Sequence, residues 1–520
     1  MQMVTSHGRW ILRKGKIFIA NTHRLNIWPR AASLLLLVTL VVSPCAADDL
    51  VLQKAGTADA YITYKGKPLF AFAPTGDSDI GRPRDSDLDL VAWADWCKAH
   101  GMNHLRSIVP LAFGRVDNWY REAGKPPVYH YRGAPGQFDL NHFNQPAWDL
   151  IDSQVRALRD RGVIIQISLF TGLELRPANE WSQWGKHYFN PTNNKNAYTD
   201  KLSADTIGIS PFMDEAIKAK KRGDPRLLNA QKRFVRKVLD HTAKHGNCLI
   251  DIGHEIGVVS NWLWGIGTPY TQAWLNEIIN TVRSWESDNG KKLLLMMDAT
   301  YIRDARWVFA HPELDLILWG RPHRPDDIFS WRHTYKKPYF PDEAWDENGE
   351  KFWFHLGEPH YTAARRYVLK MMARRVQTAN IYQGFDILGQ YRGMGFEIYA
   401  SRIREIWNLL TDYANMQVVE HHNKSPKIAA SPGGKEHMLE SAKEVLVYLE
   451  TGAGTENNGK FIPSGDLELN NLVMTDGEVD YTIYAPKSGK KATGKRHVHG
   501  GAITFALPKA EEGIVVFFTK

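Results

Sequence analysis

Two carboxylates stand directly after short apolar runs. Cys248–Gly253 (CLIDIG) leads into His254-Glu255, and Pro338–Asp342 (PYFPD) leads into Glu343. Two carboxyl groups facing each other across a cleft can divide the work on a glycosidic bond. One gives and takes a proton while the other attacks. A single glutamate after a strand is ordinarily a surface acid. A pair at matching strand ends is what makes a site worth positing.

Other chemistries fit less well. His254-Glu255 is not a zincin motif, because Val258 stands where HExxH needs histidine. Gly208-Ile209-Ser210-Pro211-Phe212 lacks the second glycine of a nucleophile elbow. His421-His422 and His497-Val498-His499 fall in expected linker and turn segments without a wider ligand set. No metal and no cofactor are therefore expected. Of 18 tryptophans, Trp181, Trp184, Trp262, Trp264, Trp319 and Trp345 lie in or beside expected strand-end loops. Indole rings there can stack on sugar C–H faces, although about half are expected to serve packing.

These residues need a scaffold, and the apolar runs supply one. Eight recur: Pro68–Pro74, Asn103–Val109, Val163–Phe170, Cys248–Gly253, Leu293–Asp298, Leu314–Trp319, Pro338–Asp342 and Ile381–Leu388. They lack period-2 alternation, as strands buried on both faces do. Amphipathic segments intervene, among them Trp148–Arg161, Leu227–His245 and Tyr361–Thr378. Strand and helix alternating over roughly 350 residues predicts an α/β fold, a (β/α)8 TIM barrel. A doubly wound open sheet is the competitor, but no GxGxxG follows the first strand. Leu111–Leu140 and Gly172–Arg226 read as long loops after strands, where a barrel builds its site. Ala60–Phe72 reads as a hairpin leading into the first strand. The expected organisation is residues 1–47 as a signal peptide, 48–420 as the barrel, 421–436 as a linker and 437–520 as a small C-terminal all-β sandwich.

Several stretches resemble clan A glycoside hydrolases, in particular cellulase-like proteins related to glycoside hydrolase family 5 and the apiosidase-like group. Gly101-Met102-Asn103-His104-Leu105-Arg106 matches the G-x-N-x-x-R of their second strand. Phe138–Phe170, Trp184–Asn194 (WGKHYFNPTNN), Asn247–Glu255 (NCLIDIGHE) and Lys337–Glu343 (KPYFPDE) resemble their third strand region, the loop after it, strand four and strand seven. The Arg-rich helix that follows and a C-terminal sandwich of the collagen-binding type also fit. The resemblance implies Glu255 as acid/base, Glu343 as nucleophile and Arg106 as the cation that keeps Glu343 ionised. Substrate contacts are expected from Arg106, His254, His323, Trp184, Asn194, Trp319 and Trp345. Two positions depart from the pattern. His254 stands where these proteins usually carry the asparagine that contacts a sugar hydroxyl. Strand six (LILWGRPH) lacks a tyrosine near the nucleophile, and His323 is the residue available to replace it. The expected activity is retaining hydrolysis of an O-glycosidic bond in a poly- or oligosaccharide. The alternative is a non-catalytic carbohydrate-binding or adhesion protein on the same barrel.

Composition narrows the partners. The chain has 520 residues, 43% hydrophobic and 23% charged, with a mean hydropathy of −0.39. That excludes a disordered chain and a polytopic membrane protein. The net charge of +8 invites a nucleic-acid reading, but Arg9, Arg13, Lys14, Lys16, Arg24 and Arg30 lie in residues 1–47, which hold no acid. The remainder has 59 Lys and Arg against 57 Asp and Glu, a net of +2, so no polyanion partner is expected. The basic leader, the apolar Ala31–Val42 and the small residues Cys45-Ala46-Ala47 follow the order of a secretory signal. The apolar run is shorter than the ~20 residues of a membrane span. The expected location is secreted or periplasmic, with no membrane span after the signal is removed. Cys97 and Cys248 read as buried thiols, with no disulfide framework.

Overall fold

A computed structural model describes residues 50–53, 60–75, 80–83, 89–175, 184–196, 225–254, 269–298, 306–319, 334–341, 360–382, 396–419, 425–451 and 461–520. The first strands, β1 (Leu50–Gln53), β2 (Tyr61–Tyr64) and β3 (Lys67–Pro68), form an antiparallel sheet. Lys65 and Gly66 between β2 and β3 have φ of 52° and 72°. Positive φ at both central positions is what a two-residue I′ hairpin requires.

Eight parallel strands follow: β4 (Ala71–Thr75), β5 (His104–Ile108), then, after a short antiparallel pair β6 (Tyr131–Arg132) and β7 (Asp139–Phe143), β8 (Ile164–Ser168), β9 (Cys248–Asp251), β10 (Leu294–Met296), β11 (Ile317–Trp319), β12 (Tyr339–Pro341) and β13 (Thr378–Tyr382). β5, β8, β9 and β10 are neighbours in one sheet, β11 pairs with β12, and β13 pairs with β4. A parallel bridge between Asp298 and Leu318 joins the β10 and β11 segments. The Asn103 N–H donates to Phe72 O at 3.0 Å between β4 and β5. The last strand beside the first is the order of a (β/α)8 arrangement.

Between and after the strands run α1 (Leu90–Ala99), α2 (Phe113–Glu122), α3 (Gln145–Asp160), α4 (Pro225–Thr242), α5 (Pro269–Asn289), α6 (Arg306–Ala310), α7 (His360–Ala373) and α8 (Phe396–Leu409). Alternation along the strands separates two cores. Ile165 and Ile167 of β8 and Ile250 of β9 belong to a cluster with Trp148, Ile151 and Val155 of α3. Their neighbours Ile164, Leu249, Leu294, Met296, Leu318 and Phe340 gather in another cluster with Leu50, Ile62 and Leu69. The N-terminal hairpin thus covers an apolar floor formed inside the strands. Cys97 and Cys248 are unbridged and buried.

In the parallel-strand region three elements differ from the sequence reading. The expected loop Leu111–Leu140 contains α2, whose Phe113, Val116, Trp119 and Tyr120 are buried at helical spacing. The expected helix Tyr361–Thr378 stops at Ala373, followed by Arg375 with φ of 58°. The eighth strand consequently begins at Thr378, not Ile381.

The C-terminal region is all-β. Its strands are β14 (Gln417–Val418), β15 (Ile428–Ala430), β16 (Lys435–Glu440), β17 (Glu444–Glu450), β18 (Phe461–Ile462), β19 (Gly465–Leu469), β20 (Gly477–Ala485), β21 (Lys490–Val498), β22 (Ile503–Leu507), β23 (Ala510–Glu511) and β24 (Gly513–Thr519). One sheet has the order β14-β16-β17-β24-β20-β21, and another the order β15-β19-β22. β15 and the start of β16 fall inside the segment expected to be a linker. β21 was not foreseen, because all but two of its residues are exposed and no apolar periodicity marks it. A polar edge strand of this kind resists further strand pairing.

The central strands β17 and β24 of the six-stranded sheet are buried on both faces. Val447, Ile483 and Val516 share a core with Leu467, Phe505 and Leu507 of the smaller sheet. Leu446, Tyr448, Tyr484, Val515 and Phe517 instead join the core of the parallel-strand region. Each such side chain contributes about 1.5–3 kcal/mol on burial. The arginine-rich α7 adds polar grips. Arg366 Nη1 donates to Thr451 O at 3.1 Å and to Thr451 Oγ1 at 3.0 Å. Arg365 pairs with Glu512.

Candidate active site at the strand ends

The second-strand motif has a physical reading at each distinctive residue. Gly101 follows α1 with φ of +75°, and a Cβ there would lie 2.8 Å from Arg404 Cβ. Glycine is therefore needed both for conformation and for space. Asn103 Oδ1 accepts from the Phe72 N–H at 3.2 Å and from Arg404 Nη2 at 3.0 Å, tying β4, β5 and α8 together. His104 and Arg106 then occupy alternate positions of β5, both buried. In parallel register, Arg106 lies beside Gln166 and Ile108 beside Ser168. Ser168 lies beside Asp251 on the next strand.

Polar groups gather beyond the apolar floor. Arg106, 1% exposed, places Nη2 3.2 Å from His254 Nε2. His254 Nδ1 faces Asp298 Oδ2 at 3.6 Å, a charge contact slightly longer than a hydrogen bond. Ser168 Oγ donates to Asp251 Oδ2 at 2.7 Å, and the Gly253 N–H donates to Asp251 Oδ1 at 3.1 Å. Burial, reinforced by the Arg106 cation, lowers His104 to about 3, so its ring is neutral at physiological pH.

The backbone around His254 is fixed on both sides. Its N–H donates to Phe170 O at 2.8 Å, and its carbonyl accepts from the Gly172 N–H at 2.8 Å. The Asp298 N–H donates to Gly253 O at 3.2 Å. Strand ends three, four and five are thus stitched together around the imidazole. Glu174, in the helical turn Gly172–Leu175, accepts from the Leu111 and Ala112 N–H groups at 3.1 and 3.3 Å. Ala112 is the N-cap of α2, so this carboxylate anchors a helix N-terminus, where negative charge is favoured.

Of the residues singled out from sequence, the structure brings together Arg106 and His254. Trp184 is 7% exposed, with its ring 5.1 Å from that of His187. Asn194 Nδ2 donates to Tyr188 O at 3.0 Å and Asn190 O at 2.9 Å, and its Oδ1 accepts from the Asn196 N–H at 3.1 Å. Both residues build the loop after the third strand. That loop is in turn fixed to the preceding one, through Phe138 N–H to Asn193 O at 3.1 Å and Tyr188 N–H to Leu111 O at 2.9 Å. The Trp319 backbone closes β11 opposite Pro341. Glu255, His323, Glu343 and Trp345 lie outside the described residues, as do Trp181, Trp262, Trp264 and His421-His422.

Asp251, Asp298, Ser168 and Gln166 were not singled out from sequence. Their signal is present: each is a polar residue within or closing an otherwise apolar run, at the inward-facing alternation. His497 and His499 stack with centroids 4.1 Å apart. Among the described residues, no group of three or more His, Cys, Asp or Glu is placed to hold a metal ion. Among them, too, no helix is long and apolar enough to cross a membrane.

No protein-family model matches the sequence, and no curated protein matches it. Solved structures do share the fold. One, a glycoside hydrolase, has a TM-score of 0.55 at 13% identity, covering 92% of this chain and 98% of its own. Another, a glycoside hydrolase of family 5 from Bacteroides vulgatus, has a TM-score of 0.54 at 14% identity, covering 92% of this chain and 94% of its own. The parallel-strand order and the all-β C-terminal region together belong to an architecture that these glycoside hydrolase structures share over nearly their whole length.

Proposed function

We propose that the protein is a secreted glycoside hydrolase that cleaves O-glycosidic bonds of a poly- or oligosaccharide. Glu343 attacks the anomeric carbon while Glu255 protonates the leaving oxygen. Glu255 then activates the water that releases the sugar, so configuration is retained. The observation that carries this reading is the buried Arg106–His254 contact, which joins strand ends two and four immediately before Glu255. A buried guanidinium at that place calls for carboxylate partners, and it favours their ionised form. The similarity in fold to glycoside hydrolases supports the reading, as does the KPYFPDE segment ending at Glu343. In this reading residues 1–47 are removed on export, the strands and helices of 48–420 form a closed barrel, and the all-β region supports it. Trp184, Asn194, His323, Trp319 and Trp345 line or shape the sugar cleft.

The test is a screen of the purified chain against plant and microbial glycans, with reducing-end release as the readout. Turnover that disappears in Glu343→Gln and Glu255→Gln supports the proposal. A second reading, a non-catalytic carbohydrate-binding barrel, draws on His254. Its Nε2 meets Arg106 and its Nδ1 faces Asp298, so the ring is turned toward protein groups. Saturable binding of a glycan without any release of product would favour that reading and overturn the first.

A further inference from the structure

Arginine only donates hydrogen bonds, so its contact with His254 Nε2 requires an unprotonated nitrogen there. The ring proton must then sit on Nδ1. That atom faces Asp298 Oδ2 at 3.6 Å, the carboxylate that would favour it. Asp298 and His254 are 0% and 1% exposed as side chains, so water does not compete for either group. The backbones of both are fixed by hydrogen bonds to neighbouring strand ends. The buried charged or titratable groups nearby include His104 on β5, neutral through burial, and Asp251 at the end of β9.

We infer that Asp298 is a positioning residue, which selects the Nδ1–H tautomer of His254 so that Nε2 accepts from Arg106 and holds the guanidinium in place. The three groups come from strand ends five, four and two. Strand five thereby takes part in a site whose residues the sequence placed on strands two, four, six and seven and on the loop after strand three. The proton stays on the imidazole throughout; the chain of contacts orients and does not transfer. Protonating Nε2 would set an N–H against an N–H of Arg106 and displace the guanidinium from its place beside His254. The consequence for turnover rests on the proposed glycosidase reading, whereas the tautomer does not.

The experiment uses the full chain labelled with 15N-histidine. Long-range 15N–1H correlations at pH 7 distinguish Nδ1–H, Nε2–H and doubly protonated rings. The His254 signal is identified by its loss in His254→Gln, or by its displacement in Arg106→Lys if that variant does not fold. The expected result is a single Nδ1–H tautomer in the wild type and its loss in Asp298→Asn, whose amide can turn an N–H toward Nδ1. On any glycan the wild type cleaves, Asp298→Asn should lower kcat by about 100-fold or more with KM within about threefold, as tautomer inversion does elsewhere. Asp298→Glu should recover part of that loss. A wild-type ring protonated on Nε2 overturns the inference, and so does an Asp298→Asn enzyme with unchanged kcat. If no glycan is cleaved at all, the glycosidase reading fails, while the tautomer still decides whether Asp298 orients His254.

Discussion

Arg365 on α7 donates through Nε and Nη2 to the two carboxylate oxygens of Glu512, at 2.8 and 2.6 Å. The side chains are 9% and 8% exposed, so this is an interior pair joining the parallel-strand region to the all-β region. Removing one partner of a buried pair leaves an uncompensated charge and costs about 3–5 kcal/mol. Glu512→Gln should lose that much stability in urea unfolding. A loss below about 1 kcal/mol would mean that the pair behaves as a surface contact.

Acid should loosen the same interface. Burial by itself raises the Glu450 carboxyl, but Lys370 at 3.9 Å and a 3.1 Å hydrogen bond with His437 outweigh it and hold the group well below the carboxylate range. Glu512 is also lowered, by Arg365 and Lys487 acting against burial. A depressed folded value gives stability that is fully present above the unfolded value of about 4.3 and is lost as pH falls toward the folded one. The Tm should therefore fall steadily below about pH 5. Glu450→Gln should lower the Tm at neutral pH and flatten that acid limb. An unchanged acid limb would remove Glu450 from the explanation.

Much of the fold was legible because it is written in apolar runs. VIIQISLF and CLIDIG contain β8 and β9, since a strand covered on both faces must be apolar throughout. The elements that escaped are those whose pattern is not apolar. β21 (KKATGKRHV) is held by backbone pairing to β20 along its whole length, with most of its side chains in water. In the site, a glutamate after a strand singles out Glu255 and Glu343 in the sequence, whereas Asp251 and Asp298 carry no such mark. These lie within or just after the runs, where a polar side chain inside an apolar strand has no reason to be unless something opposes it. Arg106 was legible through a motif. Its contact with His254 was not, because 148 residues separate them and only the sheet order brings them together.

The N-terminal hairpin depends on one amide. Gln377 Nε2 donates to the carbonyls of Ile62 and Leu69, both at 2.7 Å, and Gln377 Oε1 accepts from the Ile62 N–H. Stranding a buried polar group costs about 1–3 kcal/mol, so Gln377→Ala should lose at least about 2 kcal/mol. Hydrogen exchange should quicken first at the Ile62 amide, which loses its acceptor. Protection there equal to that of the wild type would show that the hairpin is held by the apolar floor alone.

The nucleophile should be Glu343 and not Glu358. β12 ends at Pro341, with Pro341 in parallel register beside Trp319, and Glu343 follows two residues later. That is the C-terminal end of a parallel strand, where sites of this architecture are built. Lys337 fixes the other end of the strand by donating to Phe309 O at 2.7 Å and His311 O at 2.6 Å, so the segment has little freedom to slide. Glu358 instead precedes α7, which starts at His360, and a carboxylate there has an ordinary helix-start role. Asp342 is the nearer competitor. Phe340 belongs to the inward apolar floor, and strict alternation from it points to position 342. The KPYFPDE pattern nevertheless favours position 343. A mechanism-based fluorosugar of the right configuration should label the peptide at Glu343. Glu343→Gln should lose at least about 1000-fold in kcat, equivalent to roughly 4 kcal/mol of barrier, while Glu358→Gln and Asp342→Asn keep measurable turnover. Label on Asp342 would move the role by one residue within the same strand end. Label on Glu358 would instead mean that the strand contributing the nucleophile is not β12.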